Sequence, residues 1–344
     1  MPAPTTRFRL RDPLLEPLAR KVLDGRRLDR SDGIILAESD DLLGVGRLAN
    51  LVREKLHGDT TYYNINRHLN PTNVCVASCK LCAFYVPWRE REEGWTYSVE
   101  EAVEMAARDV DESVSELHIV SGLHPKLLVD YYEELFRTLK KRFPWVHLKA
   151  LTMVELEFIA KASRLPLEEL VARLQEAGLD SCPGGGAEIF SERVRDQICD
   201  HKTDGESWLE TARVVHEAGI PSNCTMLYGH VESAADRVDH LIALRELQDQ
   251  TGGFQCFIPL AVHPENTALA HLPPTGGRLD LQTIAVSRLM LDNIPHIKAY
   301  WIMLGEKVAQ VALDFGANDL DGTIFDERIT HAAGGSAGTE MAKN

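Results

Sequence analysis

Three cysteines in one short stretch have the types and spacing for metal chemistry. Cys75, Cys79 and Cys82 stand as C-x3-C-x2-C within Asn73-Val-Cys-Val-Ala-Ser-Cys-Lys-Leu-Cys-Ala-Phe-Tyr85. A structural zinc site takes four ligands, usually as two separated pairs. The trio has no fourth cysteine beside it in the sequence, and His68, just upstream, is the residue that would complete such a site. A [4Fe-4S] cubane is also held by thiolates, and three of them leave one iron with an open position. Such an iron can chelate a small molecule through an amino and a carboxylate group. Context favours this second chemistry. The trio follows an apparent strand at 60–67 and an Asn/Pro/Thr turn, which puts it in the loop after a first strand, where barrel enzymes keep their reacting groups.

The elements that must position such a loop can be read from periodicity. Strand-like runs occur at 61–67, 116–121, 147–152, 178–182, 222–227, 254–259 and 298–303, with a short eighth at 315–318. Between them lie stretches of helical period at 99–107, 131–143, 167–177, 208–218, 235–249, 281–293 and 307–313. The first is preceded by Ser98-x-x-Glu101, a capping-box signature. Regular strand–helix alternation means a parallel sheet. The fold class is therefore α/β, and the repeat predicts a (β/α)8 TIM-type barrel, complete or slightly open, over residues 58–330. Residues 1–57 read as an N-terminal helical cap, with apolar faces such as Leu14, Leu15, Leu18 and Val22. The Gly/Ser/Ala-rich residues 331–344 read as a flexible tail.

A barrel keeps its site at the carboxyl ends of its strands, and polar residues do gather after these runs. Arg67, His68 and Lys298 can bind carboxylates or form salt bridges across the barrel top. His124 and His263, each followed by proline, are candidate ligand-binding or structural histidines. Glu155 can accept hydrogen bonds from ribose hydroxyls, or be a helix-start glutamate favoured by the dipole. Gly184, Gly185 and Gly186, between a strand and an expected helix, offer an anion-binding run of N–H groups or merely a turn. The sequence has neither a P-loop ending nor G-x-G-x-x-G spacing there.

Composition excludes several classes. The formal net charge is −15 over 344 residues. A nucleic-acid groove needs a basic surface, so no nucleic-acid partner is expected. No run of apolar residues approaches membrane-span length, and no signal-peptide core is apparent, so neither membrane association nor export is expected. Seven cysteines without a disulfide framework suit a reducing compartment, and a cytoplasmic location follows. Cys182, Cys199, Cys224 and Cys256 are isolated and read as small buried hydrophobes.

The cysteine spacing resembles that of the radical S-adenosylmethionine (SAM) superfamily. Asn70-Pro-Thr-Asn-Val-Cys75, Cys82-Ala-Phe-Tyr85, Gly122-Leu-His-Pro125 and Pro183-Gly-Gly-Gly-Ala-Glu188 resemble its menaquinone and deazaflavin biosynthesis group. Ser222-Asn-Cys-Thr-Met-Leu-Tyr-Gly-His230, Thr251-Gly-Gly-Phe-Gln-Cys-Phe-Ile-Pro-Leu260, His263-Pro-Glu-Asn-Thr267, Ile297-Lys-Ala-Tyr-Trp301 and Gly316-Ala-Asn-Asp-Leu-Asp-Gly322 are similar to aminofutalosine synthases. The resemblance implies that Cys75, Cys79 and Cys82 hold a [4Fe-4S] cluster whose open iron binds SAM. It implies that Ser121 and Gly122 meet the methionine amino group, with serine where the family usually has glycine. Tyr228 and Gly229, inside an element running from Thr225 to Glu232, would lie near the adenosine. Leu81 stands where an aromatic residue is usual, so Phe84 and Tyr85 are expected to flank the adenine. The implied reaction adds the 5′-deoxyadenosyl radical to 3-[(1-carboxyvinyl)oxy]benzoate, giving 6-amino-6-deoxyfutalosine, methionine and bicarbonate. The partners implied are this aryl dicarboxylate and an electron donor such as flavodoxin or ferredoxin. The alternatives are a cyclic dehypoxanthine futalosine synthase, which abstracts hydrogen instead, or a non-catalytic metal-binding protein.

Overall fold

The computed structural model describes residues 10–108, 110–324 and 327–338. Three helices come first: α1 (Leu15–Leu23), α2 (Arg30–Glu38) and α3 (Leu42–His57). Strands β1 (Tyr62–Asn64) and β2 (Asn66–Leu69) follow, then β3 (Val74–Cys75) and β4 (Val86–Pro87). The alternation then runs α4 (Val99–Ala107), β5 (Glu116–Ile119), α5 (Val129–Arg142), β6 (His147–Ala150), α6 (Met153–Ser163), α7 (Leu167–Ala177), α8 (Glu192–Ile198) and α9 (Gly205–Glu217). It continues with β7 (Ser222–Tyr228), α10 (Ala234–Thr251), β8 (Phe254–Ala261), α11 (Gly277–Met290), β9 (His296–Ile297), α12 (Trp301–Leu304), α13 (Glu306–Ala312), β10 (Asp319–Gly322) and α14 (Ile329–Ala332).

The strands pair in parallel: β1 with β10, β2 with β5, β5 with β6, β7 with β8 and β8 with β9. Single parallel bridges extend the series at Lys149–Ser181, Cys182–Ser222 and Lys298–Asp319. The ladders form four separate short sheets rather than one closed sheet. The expected strand at 178–182 is reduced to the two bridges at Ser181 and Cys182.

Local chemistry explains where the elements start and stop. Ser98 and Glu101 form the expected capping box of α4. Thr152 and Glu155 form another at the start of α6, a helix the periodicity missed. On α5, Val129, Tyr132, Leu135, Phe136 and Leu139 recur at helical spacing and are all buried. Two expectations shift. The strand expected at 298–303 is instead β9, one bridge at Lys298, and then helix α12, because the Trp301 indole turns back to donate to the Gly322 carbonyl at 2.9 Å. The strand expected at 315–318 moves to β10. Gly316 turns there at φ +102, and the ladder with β1 opens where the Asn318 carbonyl accepts from Tyr62 N–H at 2.8 Å.

Helices α2 and α3 pack on α10 and α11. Gly33 lies against Val238 and Met290, and Gly46 against Phe315. Leu36, Val45 and Leu48 are fully buried in this seam, each contributing about 1.5–3 kcal/mol by burial. Gln282 donates to the Leu36 and Ser39 carbonyls, both at 2.9 Å. The part of the expected tail that is described, 331–338, has His331 bonded to Glu327 at 2.9 Å and to the Ala337 carbonyl at 3.0 Å; residues 339–344 lie outside the described residues.

Candidate active site

The loop after β2 is tied down before it reaches the cysteines. Asn70 donates to the Val120 carbonyl at 2.8 Å, Thr72 Oγ1 to the Trp95 carbonyl at 2.7 Å, and Asn73 Oδ1 accepts from the Trp95 N–H at 2.8 Å. Cys75 ends β3, and the Cys82 N–H closes a turn on the Cys79 carbonyl at 3.1 Å. The loop after β5 runs alongside. Gly122 N–H bonds to the Thr72 carbonyl at 3.0 Å, Val76 N–H to the Leu123 carbonyl at 3.0 Å, and Leu123 N–H to Cys75 Sγ at 3.3 Å. A Cβ at position 122 would lie 2.4 Å from the Val74 carbonyl oxygen and 3.1 Å from the Cys75 Cβ. Only glycine permits this approach. Ser121, the departure from a Gly-Gly pair, does not prevent it.

All three thiols are half-buried and unpaired with one another. Burial pushes each of them up, while backbone N–H groups of Leu123 and Ala77 at Cys75, and of Phe84 and Tyr85 at Cys82, act the other way. Amides aimed at sulfur suit thiolates, and a bound cation completes the deprotonation. Among the described residues no three His, Cys, Asp or Glu side chains converge on a single ion. Three thiols on one loop, with backbone amides directed at Cys75 and Cys82, are a donor set of the kind a cubane takes on different irons. Phe84 and Tyr85 thus reach the site through their amides, while the Phe84 ring is buried edge-on to Trp95, with centroids 5.5 Å apart.

Several expected contacts are redirected. Glu155 is buried and already saturated. Its Oε1 accepts from Ser121 N–H at 2.9 Å and Ser121 Oγ at 3.2 Å, and its Oε2 from Thr152 N–H and Oγ1, both at 2.8 Å. Burial pushes its carboxyl up against these donors. It positions Ser121 and caps α6. Gly184, Gly185 and Gly186 are not a helix start, since α8 begins at Glu192. Gly184 presses on the backbone of Asn223 and Cys224 and accepts from Thr225 Oγ1 at 2.7 Å. The Gly185 carbonyl accepts from Trp208 Nε1 at 3.3 Å, and Gly186 turns at φ +86 against Val154. This is a turn docked on β7.

Tyr228 is fully buried, and its hydroxyl donates to Asp280 Oδ1 at 2.8 Å, so its side chain packs toward α11. Gly229 turns at φ +87 beside Thr275. Glu232 folds back on the same turn, accepting from Gly229 N–H at 2.8 Å and His230 N–H at 2.9 Å. His263 is half-buried and its Nε2 donates to the Met303 carbonyl at 3.0 Å. His124 is buried, edge-on to Trp88 with centroids 5.2 Å apart, and its Nδ1 accepts from Lys126 N–H at 3.2 Å.

The expected cations divide between two faces. His68 stacks on His118, its register partner, at 4.8 Å and 17°. Arg67 lies between Asn66 and His68, so strand alternation turns it to the opposite face, where it donates to the Asn66 carbonyl at 3.0 Å and Thr323 Oγ1 at 3.3 Å. Lys298 is buried and ion-paired with Asp321, with Asp319 at 3.6 Å, which holds its ammonium well above the usual range despite burial. Its charge is compensated within the protein.

Two partners escaped the sequence reading. His118 is half-buried beside His68, and its desolvation holds it well below the ordinary value; its strand register with His68 was the available signal. Lys202 donates to Glu188 Oε1 at 2.5 Å, with side chains only 14% and 9% exposed. Lys202 follows a helix, so a search for polar residues after strands passes it by. Glu188 sits at φ +45, a left-handed conformation rare for a residue with a side chain.

The Radical SAM superfamily description matches residues 69–244, and the CofH/MqnC C-terminal region matches residues 251–342. Aminodeoxyfutalosine synthase of Thermus thermophilus is 48% identical over 94% of this chain and 88% of its own. Cyclic dehypoxanthine futalosine synthase of Streptomyces coelicolor is 36% identical over 93% of this chain and 81% of its own. Among solved structures, methylornithine synthase superposes with a TM-score of 0.72 over 91% of this chain and 88% of its own, at 16% identity, and so shares the fold.

Proposed function

We propose that this chain, which belongs to the radical SAM superfamily and to its aminodeoxyfutalosine synthase family, joins the 5′-deoxyadenosyl group of SAM to 3-[(1-carboxyvinyl)oxy]benzoate. The products are 6-amino-6-deoxyfutalosine, methionine and bicarbonate. When bound, the [4Fe-4S] cluster supplies the electron that cleaves the carbon–sulfur bond of SAM. Cys75, Cys79 and Cys82 are its ligands. The observation that carries the reading is the press of Gly122 on Val74 and Cys75, with amides from two loops directed at the thiols.

The chain's own residues hold, orient and exclude water. Glu155 fixes Ser121, which sets the Gly122 backbone beside Cys75, where a methionine amino group would be met. The stacked His68–His118 pair, in which desolvation favours the neutral His118 ring, stands with His263 on another strand end as the candidate set for a substrate carboxylate. The parallel pairs and bridges, taken in chain order, support a (β/α)8 barrel around this interior, with the described residues 10–57 as a cap on its α10–α11 flank. A barrel interior shields a radical from water and stray hydrogen donors. A flavodoxin- or ferredoxin-type donor delivers the electron, which suits a cytoplasmic enzyme; among the described residues no helix is long and apolar enough to cross a membrane.

The test follows the adenine. Reduced, reconstituted enzyme is incubated with adenine-labelled SAM and 3-[(1-carboxyvinyl)oxy]benzoate. Label is expected in an adduct containing both adenine and the benzoate ring. Label found only in free 5′-deoxyadenosine, released faster by dehypoxanthine futalosine, assigns the hydrogen-abstracting reaction instead.

A further inference from the structure

Lys202 is a largely buried cation, with a side chain 14% exposed, that neither ligates nor caps. We propose that Lys202, held by Glu188, is the fixed positive charge that offsets the three thiolates of the cluster and sets the potential at which the cluster accepts an electron. This rests on the assignment of Cys75, Cys79 and Cys82 as its ligands.

The backbone places Lys202 against the cysteine loop. Lys80, between Cys79 and Cys82, donates its N–H to the carbonyl of Ile198 at 2.9 Å, the last residue of α8. The turn that follows closes with Lys202 N–H on the Cys199 carbonyl at 3.0 Å. The turn bearing Lys202 is thereby stitched to the segment between two ligands. The Lys202 ammonium is close enough to act electrostatically on all three thiols, and the Glu188 carboxylate on Cys79. Arg195, the other cation acting on Cys79, directs its guanidinium to the carbonyls of Ala187 at 2.7 Å, Ile189 at 3.2 Å and Thr203.

The arrangement is costly as structure alone. A buried ion pair often stabilises less than apolar residues of the same volume. Glu188 is moreover held at φ +45, and such strain gathers at working sites. One-electron reduction adds a negative charge to a centre that already carries three thiolates. A fixed cation beside it favours the reduced form, and the low dielectric of the interior enlarges that preference. Glu188 tempers the same field and keeps the lysine charged and aimed.

The experiment compares wild type, Lys202→Met, Lys202→Arg and Glu188→Gln after anaerobic reconstitution. The readouts are iron and sulfide content, SAM affinity, and the midpoint potential from a titration followed by the spin signal of the reduced cluster. Lys202→Met is expected to keep about four irons per chain and to be reduced on the order of tenfold less at a set potential, a shift of ~59 mV to more negative values. Lys202→Arg is expected to titrate like wild type, and Glu188→Gln to shift to more positive values. A fully loaded Lys202→Met with an unchanged potential overturns the assignment, as does a loss of SAM affinity without a potential shift. If Lys202→Met fails to fold or load, Glu188→Gln decides, and its unchanged potential is equally fatal. Wild type that takes up no iron refutes the cluster reading itself, and this assignment falls with it.

Discussion

Replacing Gly122 by alanine is the most direct perturbation of the cysteine loop. The added Cβ would lie 2.4 Å from the Val74 carbonyl oxygen and 2.8 Å from its carbon, both backbone atoms that no rotamer change can move aside. The two loops must part. Overpacking of this kind costs about 1–3 kcal/mol. The bonds from Gly122 N–H to Thr72, from Val76 N–H to Leu123 and from Leu123 N–H to Cys75 Sγ are stretched with it. Each such bond contributes roughly 0.5–1.5 kcal/mol net. If the stretching amounts to the loss of one such bond, the total is about 1.5–4.5 kcal/mol, less than the 5–15 kcal/mol that typically holds a domain, so the variant should fold while its ligand loop is displaced. The assay is iron and sulfide content after anaerobic reconstitution, read beside the melting temperature. Gly122→Ala should load substoichiometric iron at a lowered melting temperature, and Cys79→Ala should mark full loss. Gly277→Ala is the control, because the nearest atom to its Cβ would be 3.7 Å away, within a helix. That change should be neutral or stabilising by up to about 1 kcal/mol. Gly122→Ala with a full complement of iron and a wild-type melting temperature would refute the close approach, and with it the positioning role of the loop after β5.

Two further outcomes test assignments made above. Tyr228→Phe removes the hydroxyl that donates to buried Asp280, whose carboxyl burial already pushes up. It should cost about 1–3 kcal/mol and leave SAM affinity unchanged; weakened SAM binding at an unchanged melting temperature would return Tyr228 to the cofactor. His216 is buried between Thr251 Oγ1 at 2.8 Å and Ser222 Oγ at 2.9 Å, and burial pushes it down to about 4. Its folded state favours the neutral ring, so its contribution is complete above the ordinary histidine value of 6.5 and is lost as pH falls through that value toward about 4. Unfolding free energy should drop by about 2 kcal/mol between pH 7.5 and 5 from this residue, and His216→Gln should flatten that slope; an identical slope in the variant would assign the loss to other groups.

The parts of the molecule that were legible in the sequence are those encoded locally. C-x3-C-x2-C is a ligand pattern within eight residues, and the Ser98–Glu101 box marks a helix start within four. Thr152 and Glu155 carry the same box, and recognising it would have found α6 and explained Glu155 at once. Face was harder to read than position. Polar residues after strands can be picked out from the sequence, but two-residue alternation decides which way they point. That alternation sets Arg67 opposite His68. On β7 it separates Tyr228, which reaches Asp280, from Thr225, which bonds to the Gly184 carbonyl.

Charge was least legible, because pairing joins residues far apart in the chain. Lys149 meets Glu116 at 2.5 Å, Lys298 meets Asp321, and Lys202 meets Glu188. A net charge of −15 describes none of these pairs. A lysine already held by an aspartate in the interior cannot serve a substrate carboxylate without leaving a buried charge unpaired, a loss of several kcal/mol. The proposed recognition of the dicarboxylate rests instead on the His68–His118 stack and the loop amides. The interior's fixed cations are left to act at a distance, as Lys202 does on the three thiols.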